Sequence, residues 1–551
     1  MSRISLLLAV VIIGLLLRSC AQMKPPTGGP KDEDPPELIA TAPLNYSTHF
    51  SSSRIIMEFD EFVQIRNLKA QMVINPTMKE RPDVRLKGKK VIIDLKSPLN
   101  PETTYVINFG DAIVDLNEGN KASGLQYVFS TGDFLDSLQF IGKVVNAFTE
   151  KPEKDVWVML YSNPVDTMPY TGMPDYLGKT DDKGQFEINF IREGRYMAFA
   201  LRDENSNFKY NAGEEIAYLD SLITPGFADS TNVPHFMRLF LEEDTTQYID
   251  DRIAKPHGEL MILLHQPADS VWATPIEPEQ KLLFEHGEVG DTTWVWMTNR
   301  ADFPDLERTK VVFEATPNLM DTVRWDLRRR KNDEDPVLEI KDNLLFNFNP
   351  FSAVRLKFNH PIEQIDTSRI ELYRDSIPVE YTLKGTKSKR VFEIHHPWEF
   401  DTPYRVFIPD GTFTDIFQLT NDTLDKTVKT REERHFGNVK LDLRFAPGDP
   451  IILELVNDRD VVIKRVIPEE PGIIEFNRMN PGSFKMRVIY DLNGNGQWDT
   501  GNFLLGTQPE PVVNYPSTVQ VRSNWDMELE WNLKKEEEPE PEPEDTLLPE
   551  E

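Results

Sequence analysis

At 551 residues the chain is too long for one hydrophobic core and predicts about three to five domains. Its 91 acidic against 61 basic residues leave a formal net charge of −30, a surface that repels nucleic-acid phosphates and gives no charge attraction to anionic lipid. With 39% hydrophobic and 10% aromatic residues it can still build packed cores, which excludes disorder throughout.

The N-terminus has the layout of a targeting segment. Arg3 supplies a positive start, Ile4 to Leu17 form an apolar run, and Leu17-Arg18-Ser19-Cys20 follows. A spanning helix needs about 20 apolar residues, so residues 1–19 fit a lipoprotein signal peptide better. A small residue before cysteine is what lipoprotein processing enzymes cut, although Arg18 departs from the usual small or apolar residue at its place. Cys20 is the only cysteine, so the mature chain has no internal disulfide, and acylation gives the solitary thiol a use. The alternative is an ordinary secretory signal with an incidental cysteine. Residues 20–36, with five prolines and two glycines, predict an extended tether. The expected location is the outer membrane, held by lipid, with the periplasmic and cell-surface faces both open.

Beyond the tether, apolar residues alternate with a period of two. Ile55-Met57-Phe59, Tyr105-Ile107-Phe109, Phe186-Ile188-Phe190 and Phe484-Met486-Val488-Tyr490 are examples. Gly, Pro, Asn and Asp interrupt the runs, and few windows show a helical stripe. The chain is therefore expected to be all-β. It is also a duplication. Met57-Glu58-Phe59-Asp60 corresponds to Leu356-Lys357-Phe358-Asn359, and Thr104-Tyr105 through Asp111 to Pro403-Tyr404 through Asp410. Leu86-Lys87-Gly88 matches Leu383-Lys384-Gly385, each a candidate hairpin turn. Downstream, Gly194-Arg195-Tyr196 leads to Asp203-Glu204-Asn205-Ser206-Asn207, as Gly482-Ser483-Phe484 leads to Asp491-Leu492-Asn493-Gly494-Asn495.

The first repeat type resembles the bacterial immunoglobulin-like domains of cell-surface and S-layer proteins. The resemblance rests on Pro43-Leu44-Asn45-Tyr46-Ser47, Met57-Glu58-Phe59-Asp60 and Leu99-Asn100-Pro101-Glu102-Thr103-Thr104-Tyr105, with Phe400-Asp401-Thr402-Pro403-Tyr404 in the second copy. It implies a seven-stranded sandwich. The second type is similar to small prealbumin-like sandwiches related to the regulatory domain of some carboxypeptidases, where Gly142-Lys143-Val144 opens the domain and Asp181-Asp182-Lys183-Gly184-Gln185-Phe186 forms a hairpin turn. With Thr27-Gly28-Gly29-Pro30-Lys31-Asp32 after the cysteine, the whole resembles lipoproteins common in Bacteroidota. The implied domains are Ig-like at 37–133 and 336–434, prealbumin-like at 138–226 and 435–533, and a sandwich of unassigned type at 245–331. Residues 534–551, with nine acidic residues and two lysines among alternating Glu-Pro, predict a disordered tail.

The paired acidic loops are the candidate metal sites. Asp203, Asn205, Asn207, Lys209, Asn211 and Glu214 stand at positions 1, 3, 5, 7, 9 and 12, from which a calcium loop supplies oxygens. Phe208 sits where such loops prefer glycine. The second loop offers Asp491, Asn493, Asn495, Gly496 and Asp499, with Asn502 in the twelfth place. Because the loops follow strands, no EF-hand is implied, and the bland alternative is a pair of Asx turns bonding their own backbone.

Catalytic templates are missing. There is no His-Glu-x-x-His, Gly-x-Ser-x-Gly or phosphate-cradling Gly-x-x-x-x-Gly-Lys, and Ser206-x-x-Lys209 lies inside an acidic loop. His395 and His396 are adjacent on a strand and face opposite ways. No catalytic residue is assigned and no enzyme activity is expected. Trp294 and Trp296 share one strand face and could stack on sugar rings, or pack inside a core. Two readings follow: a non-catalytic envelope scaffold whose partners are outer-membrane proteins, or a glycan-binding lipoprotein of a nutrient-uptake system.

Overall fold

The computed structural model describes residues 32–228, 232–331 and 333–533. Cys20, most of the tether and the acidic tail lie outside the described residues. Among those described, α-helix is confined to Leu68–Gln71 and Met168–Thr171, and nearly everything else regular is strand. The chain is all-β. No described helix is long and apolar enough to cross a membrane.

The chain forms two compact units, one of Met1–Asn146 with Lys151–Phe240, the other of Ala147–Glu150 with Leu241–Glu551. In the first unit, the strands Leu38–Ala42, Arg54–Phe59, Lys90–Asp94 and Asp83–Lys87 make a four-stranded sheet in that order. Val73–Asn75, Thr104–Asn108 and Gln126–Ser130 make a three-stranded partner. Alternation decides what they enclose. Ile55, Met57, Phe59, Val91 and Ile93 of one sheet meet Ile74, Tyr105, Ile107, Tyr127 and Phe129 of the other in a single core. Each fully buried large apolar side chain there contributes roughly 1.5–3 kcal/mol.

The next sandwich follows a seven-stranded path: Tyr176–Lys179, Trp157–Tyr161, Met197–Leu201, Glu215–Tyr218, His235–Leu241, Leu138–Asn146, Gln185–Ile191. Two expectations need correction here. The alternation Phe186-Ile188-Phe190 breaks at its last member. Phe190 takes φ 59° and Ile191 enters the core opposite Leu138, because the register shifts between Leu138 and Phe140. The Asp181–Phe186 segment is a tight turn, with Gly184 at φ 72° and its N–H donating to the Asp181 carbonyl. It is not a hairpin, since the strands it joins lie at opposite ends of the path. Asn75 links the two sandwiches of this unit. Its amide donates to the Leu177 carbonyl at 2.8 Å and accepts from the Leu177 N–H at 2.7 Å, both buried.

The second unit starts with Ile249–Lys255, Glu259–Leu264, Thr292–Met297 and Leu282–His286 in one sheet and Val271–Pro275, Arg308–Ala315 and Leu319–Asp326 in another. They close on Leu260, Ile262, Val295, Val311, Phe313 and Trp325. The rest repeats the strand pairing of the first unit, with the three-stranded sheet enlarged to five strands and the seven-stranded path divided into sheets of three and five. Ile340–Asp342, Val354–Phe358, Val391–His395 and Thr382–Gly385 follow the order of the first four-stranded sheet. Gly437–Arg444 pairs antiparallel with Gly472–Met479 and parallel with Asp526–Asn532, as Leu138–Asn146 pairs with Gln185–Ile191 and His235–Leu241. One matched turn differs. Gly88, at φ 63°, sits in the turn between Asp83–Lys87 and Lys90–Asp94. Gly385 instead pairs with Phe392 inside the sheet, and the second copy turns later, over 386–390.

Candidate functional sites

The two acidic loops have the same internal wiring. In the first, the Asp203 carboxylate accepts from the N–H groups of Asn207 at 3.2 Å and Phe208 at 2.9 Å. In the second, Asp491 accepts from Asn495 at 3.0 Å and Gly496 at 2.8 Å. Asn205 and Asn493 each accept from the N–H two residues on, and Asn207 and Asn495 do the same. Phe208, in the glycine place, adopts the left-handed φ of 57° where Gly496 has 78°. It is held there by burial and an edge-on contact with Trp157 at 5.0 Å. The packing of the ring offsets a backbone conformation that glycine enters freely.

Spacing misplaces one residue. Asn502 does not close the second loop, since its side chain turns to the Leu505 N–H. Glu510 closes it. Its carboxylate accepts from Leu492 at 2.7 Å and Asp499 at 3.1 Å, as Glu214 accepts from Glu204 at 3.1 Å and Asn211 at 2.9 Å. Burial pushes the Glu510 carboxyl up, against the pull of its two backbone donors. Asp499 also accepts from the amides of Asn493 and Asn495. These oxygens are the hard, irregularly placed donors that Ca²⁺ takes. As they stand they are satisfied by their own backbone, the arrangement of an Asx turn.

The tryptophan pair is covered. Trp296 is fully buried, and the Arg390 guanidinium lies 4.0 Å from the centre of the Trp294 ring and 5.3 Å from that of Trp296. Arg390, only 6% exposed, donates from Nε at 3.0 Å and from Nη2 at 2.7 Å to Glu285, whose strand position faces Trp294. The indole face holds a cation inside the protein, and no open sugar platform remains at Trp296.

A third cluster carries no sequence motif. The turn Lys255-Pro256-His257-Gly258-Glu259 joins two strands of the sandwich after residue 249, with Gly258 at φ 100°. His257 Nε2 lies 3.3 Å from Glu259 Oε2, and Lys255 Nζ 2.9 Å from the same oxygen. From the sandwich that repeats the first one, His360 Nε2 approaches that oxygen to 3.8 Å. His360 Nδ1 is 2.7 Å from Asp415 Oδ2, and both residues are fully buried. Asp415 Oδ1 accepts from the N–H groups of Phe417 and Leu419, each at 2.8 Å. The Phe417 ring stands edge-on to both imidazoles at 5.2 Å. Burial works to raise the Glu259 carboxyl, but the hydrogen bonds from His257 and Lys255 outweigh it and hold it below the usual range. The sequence offers one faint signal: the duplication sets His360 opposite Glu61, a residue of quite different chemistry.

His395 and His396 do not act as a pair. His395 Nε2 meets Glu393 at 3.1 Å, while His396 Nδ1 meets the Glu380 carbonyl at 2.8 Å. Glu454, also deeply buried, is clamped between Arg465 and Arg487. Ser206 takes a left-handed φ of 60° in the exposed part of its loop.

Residues 32–131 match the bacterial Ig-like domain family. No curated protein matches the chain in sequence. Among solved structures, the major pilin subunit of Bacillus cereus is 11% identical, covering 72% of this chain and 99% of its own, with a TM-score of 0.14. The S-layer protein rSbsC is 11% identical over 88% of this chain and 67% of its own, with a TM-score of 0.14. The TIE protein of Bacillus anthracis is 9% identical over 92% and 76%, also with a TM-score of 0.14. Likenesses this loose carry no argument about what this chain does.

Proposed function

We propose that this is a non-catalytic lipoprotein of the bacterial cell envelope. It is held at the outer membrane through Cys20 and serves as a scaffold for proteins of an assembly or export complex. The observation that carries the reading is the use made of the buried charged groups. Arg390 with Glu285, Glu454 with its two arginines, and Glu214 and Glu510 with backbone N–H groups all bond elements of the fold to one another. Duplicated sandwiches so knit together provide sheet edges and loops for protein contacts. The lipobox and proline-rich tether support attachment to a membrane. Calcium in the acidic loops would stiffen them within this reading, without taking part in chemistry. A glycan-binding role is weakly supported, because Arg390 occupies the face that a sugar would need.

The test is purification of the native protein after mild detergent extraction, beside a Cys20→Ser variant. The expected result is recovery with large membrane partners, and release of the variant from the membrane fraction. Repeated recovery of the native protein alone would overturn the scaffold reading.

A further inference from the structure

We propose that His257, Glu259 and His360 form a binding site for a divalent first-row transition metal of the zinc class, joining two neighbouring sandwiches of the second unit. One ring nitrogen of each histidine and a Glu259 carboxylate oxygen lie within 4.8 Å of one another. Two of the separations are 3.3 and 3.8 Å. Zinc bonds of about 2.0–2.2 Å in tetrahedral geometry put ligand atoms roughly 3.3–3.6 Å apart, so small side-chain adjustments complete the site. Two imidazoles with one carboxylate suit zinc, cobalt, nickel or copper rather than calcium, which takes oxygens.

A second observation is independent of that convergence. Asp415 accepts two backbone N–H bonds on one oxygen and faces His360 Nδ1 with the other. Nδ1 therefore carries the proton that meets Asp415, and Nε2, 3.5 Å from the Asn359 amide nitrogen and 3.8 Å from Glu259 Oε2, is the ring nitrogen turned toward the cluster. In that tautomer two electron-pair donors, His360 Nε2 and the Glu259 carboxylate, face each other beside the Lys255 ammonium, a place that a metal cation can fill. A carboxylate behind the far nitrogen of a ligating histidine is the usual way proteins orient such a ligand. The duplication sharpens the point. Asp115 repeats Asp415, accepting N–H bonds from Glu118, Gly119 and Asn120, and its strand pairs with Val63 as that of Asp415 pairs with Ile362. The residue two before Val63 is Glu61, and the residue two before Ile362 is His360. The same place in the repeated fold thus carries a glutamate in one copy and, in the other, a histidine backed by Asp415. Lys255, half-exposed, can swing from Glu259 as metal enters.

The experiment is a cobalt titration of the full chain in detergent after chelator treatment, read by the visible bands of tetrahedral Co²⁺ and by their displacement with Zn²⁺. The comparison variants are His257→Gln, His360→Gln and the exposed control His49→Gln. The expected result is tetrahedral bands at one equivalent, displaced by Zn²⁺, unchanged in H49Q, and weakened at least about tenfold in H257Q and H360Q. Should H360Q fail to fold, H257Q, altered in a turn, decides alone. Absence of tetrahedral bands in the native chain, or their survival in H257Q, would overturn the proposal and leave His360 as an imidazolium held between two carboxylates.

Discussion

Glu510 holds in the second acidic loop the place that Glu214 holds in the first. Each accepts from the N–H of the residue after the loop's leading aspartate, ten residues back for Glu214 and eighteen for Glu510. Replacing either by glutamine turns an N–H2 group toward a backbone N–H and leaves a buried donor without an acceptor. Glu214→Gln and Glu510→Gln are each expected to cost about 1–3 kcal/mol in urea unfolding. If calcium fills the loops, excess Ca²⁺ raises the melting temperature of the native chain, and each variant reduces that rise. A melting temperature indifferent to both Ca²⁺ and chelator would dispose of calcium.

Arg390 is buried with its charge matched by Glu285 and its flat face on two indoles. Arg390→Ala leaves Glu285 unpaired in a largely dry place, and a loss of about 3–5 kcal/mol is expected. Combining Arg390→Met with Glu285→Leu removes both charges and should recover much of it. A double-mutant cycle measures the difference. In affinity electrophoresis on common polysaccharides, neither the native chain nor Trp294→Ala is expected to be retarded.

Asn75→Ala removes both hydrogen bonds to Leu177, which lies in a strand of the following sandwich. The Leu177 N–H and carbonyl stay buried without partners, so a destabilisation of about 2–4 kcal/mol is expected. Hydrogen exchange at Leu177 gives the local readout. Protection equal to that of the native chain would show that the amide does not hold this strand.

Alkaline pH should weaken the first unit. Burial pushes the Tyr127 phenol up to about 12, and its hydroxyl donates to the Pro43 carbonyl at 2.9 Å. Burial also raises Tyr161 and Tyr196. The folded state thus holds these protons more tightly than the unfolded chain, whose tyrosines titrate near 10. Their contribution is complete below about pH 10 and is lost as pH climbs through the folded values. Urea midpoints on either side of that pH should show the fall, and Tyr127→Phe should flatten part of it.

Period-two alternation by itself determined that the chain is all-β, because strand side chains alternate faces wherever one face is buried. Ile55, Met57 and Phe59 became core for that reason. The duplication was legible because each repeat preserves the local patterns that specify its strands and turns. Phe190 and Gly385 were misread where a bulge and a longer turn shifted the register, changes that alternation does not encode. The sites were legible only as far as their chemistry is local. Asp203 through Asn211 are wired within a few residues of chain, and their spacing is visible. Glu510 reaches its loop across an insertion, Arg390 meets Glu285 over a separation of 105 residues, and His360 comes to Glu259 from another sandwich. Tertiary packing decided those meetings, because sequence spacing records only neighbours along the chain, and sheet stacking sets which distant side chains share a buried space.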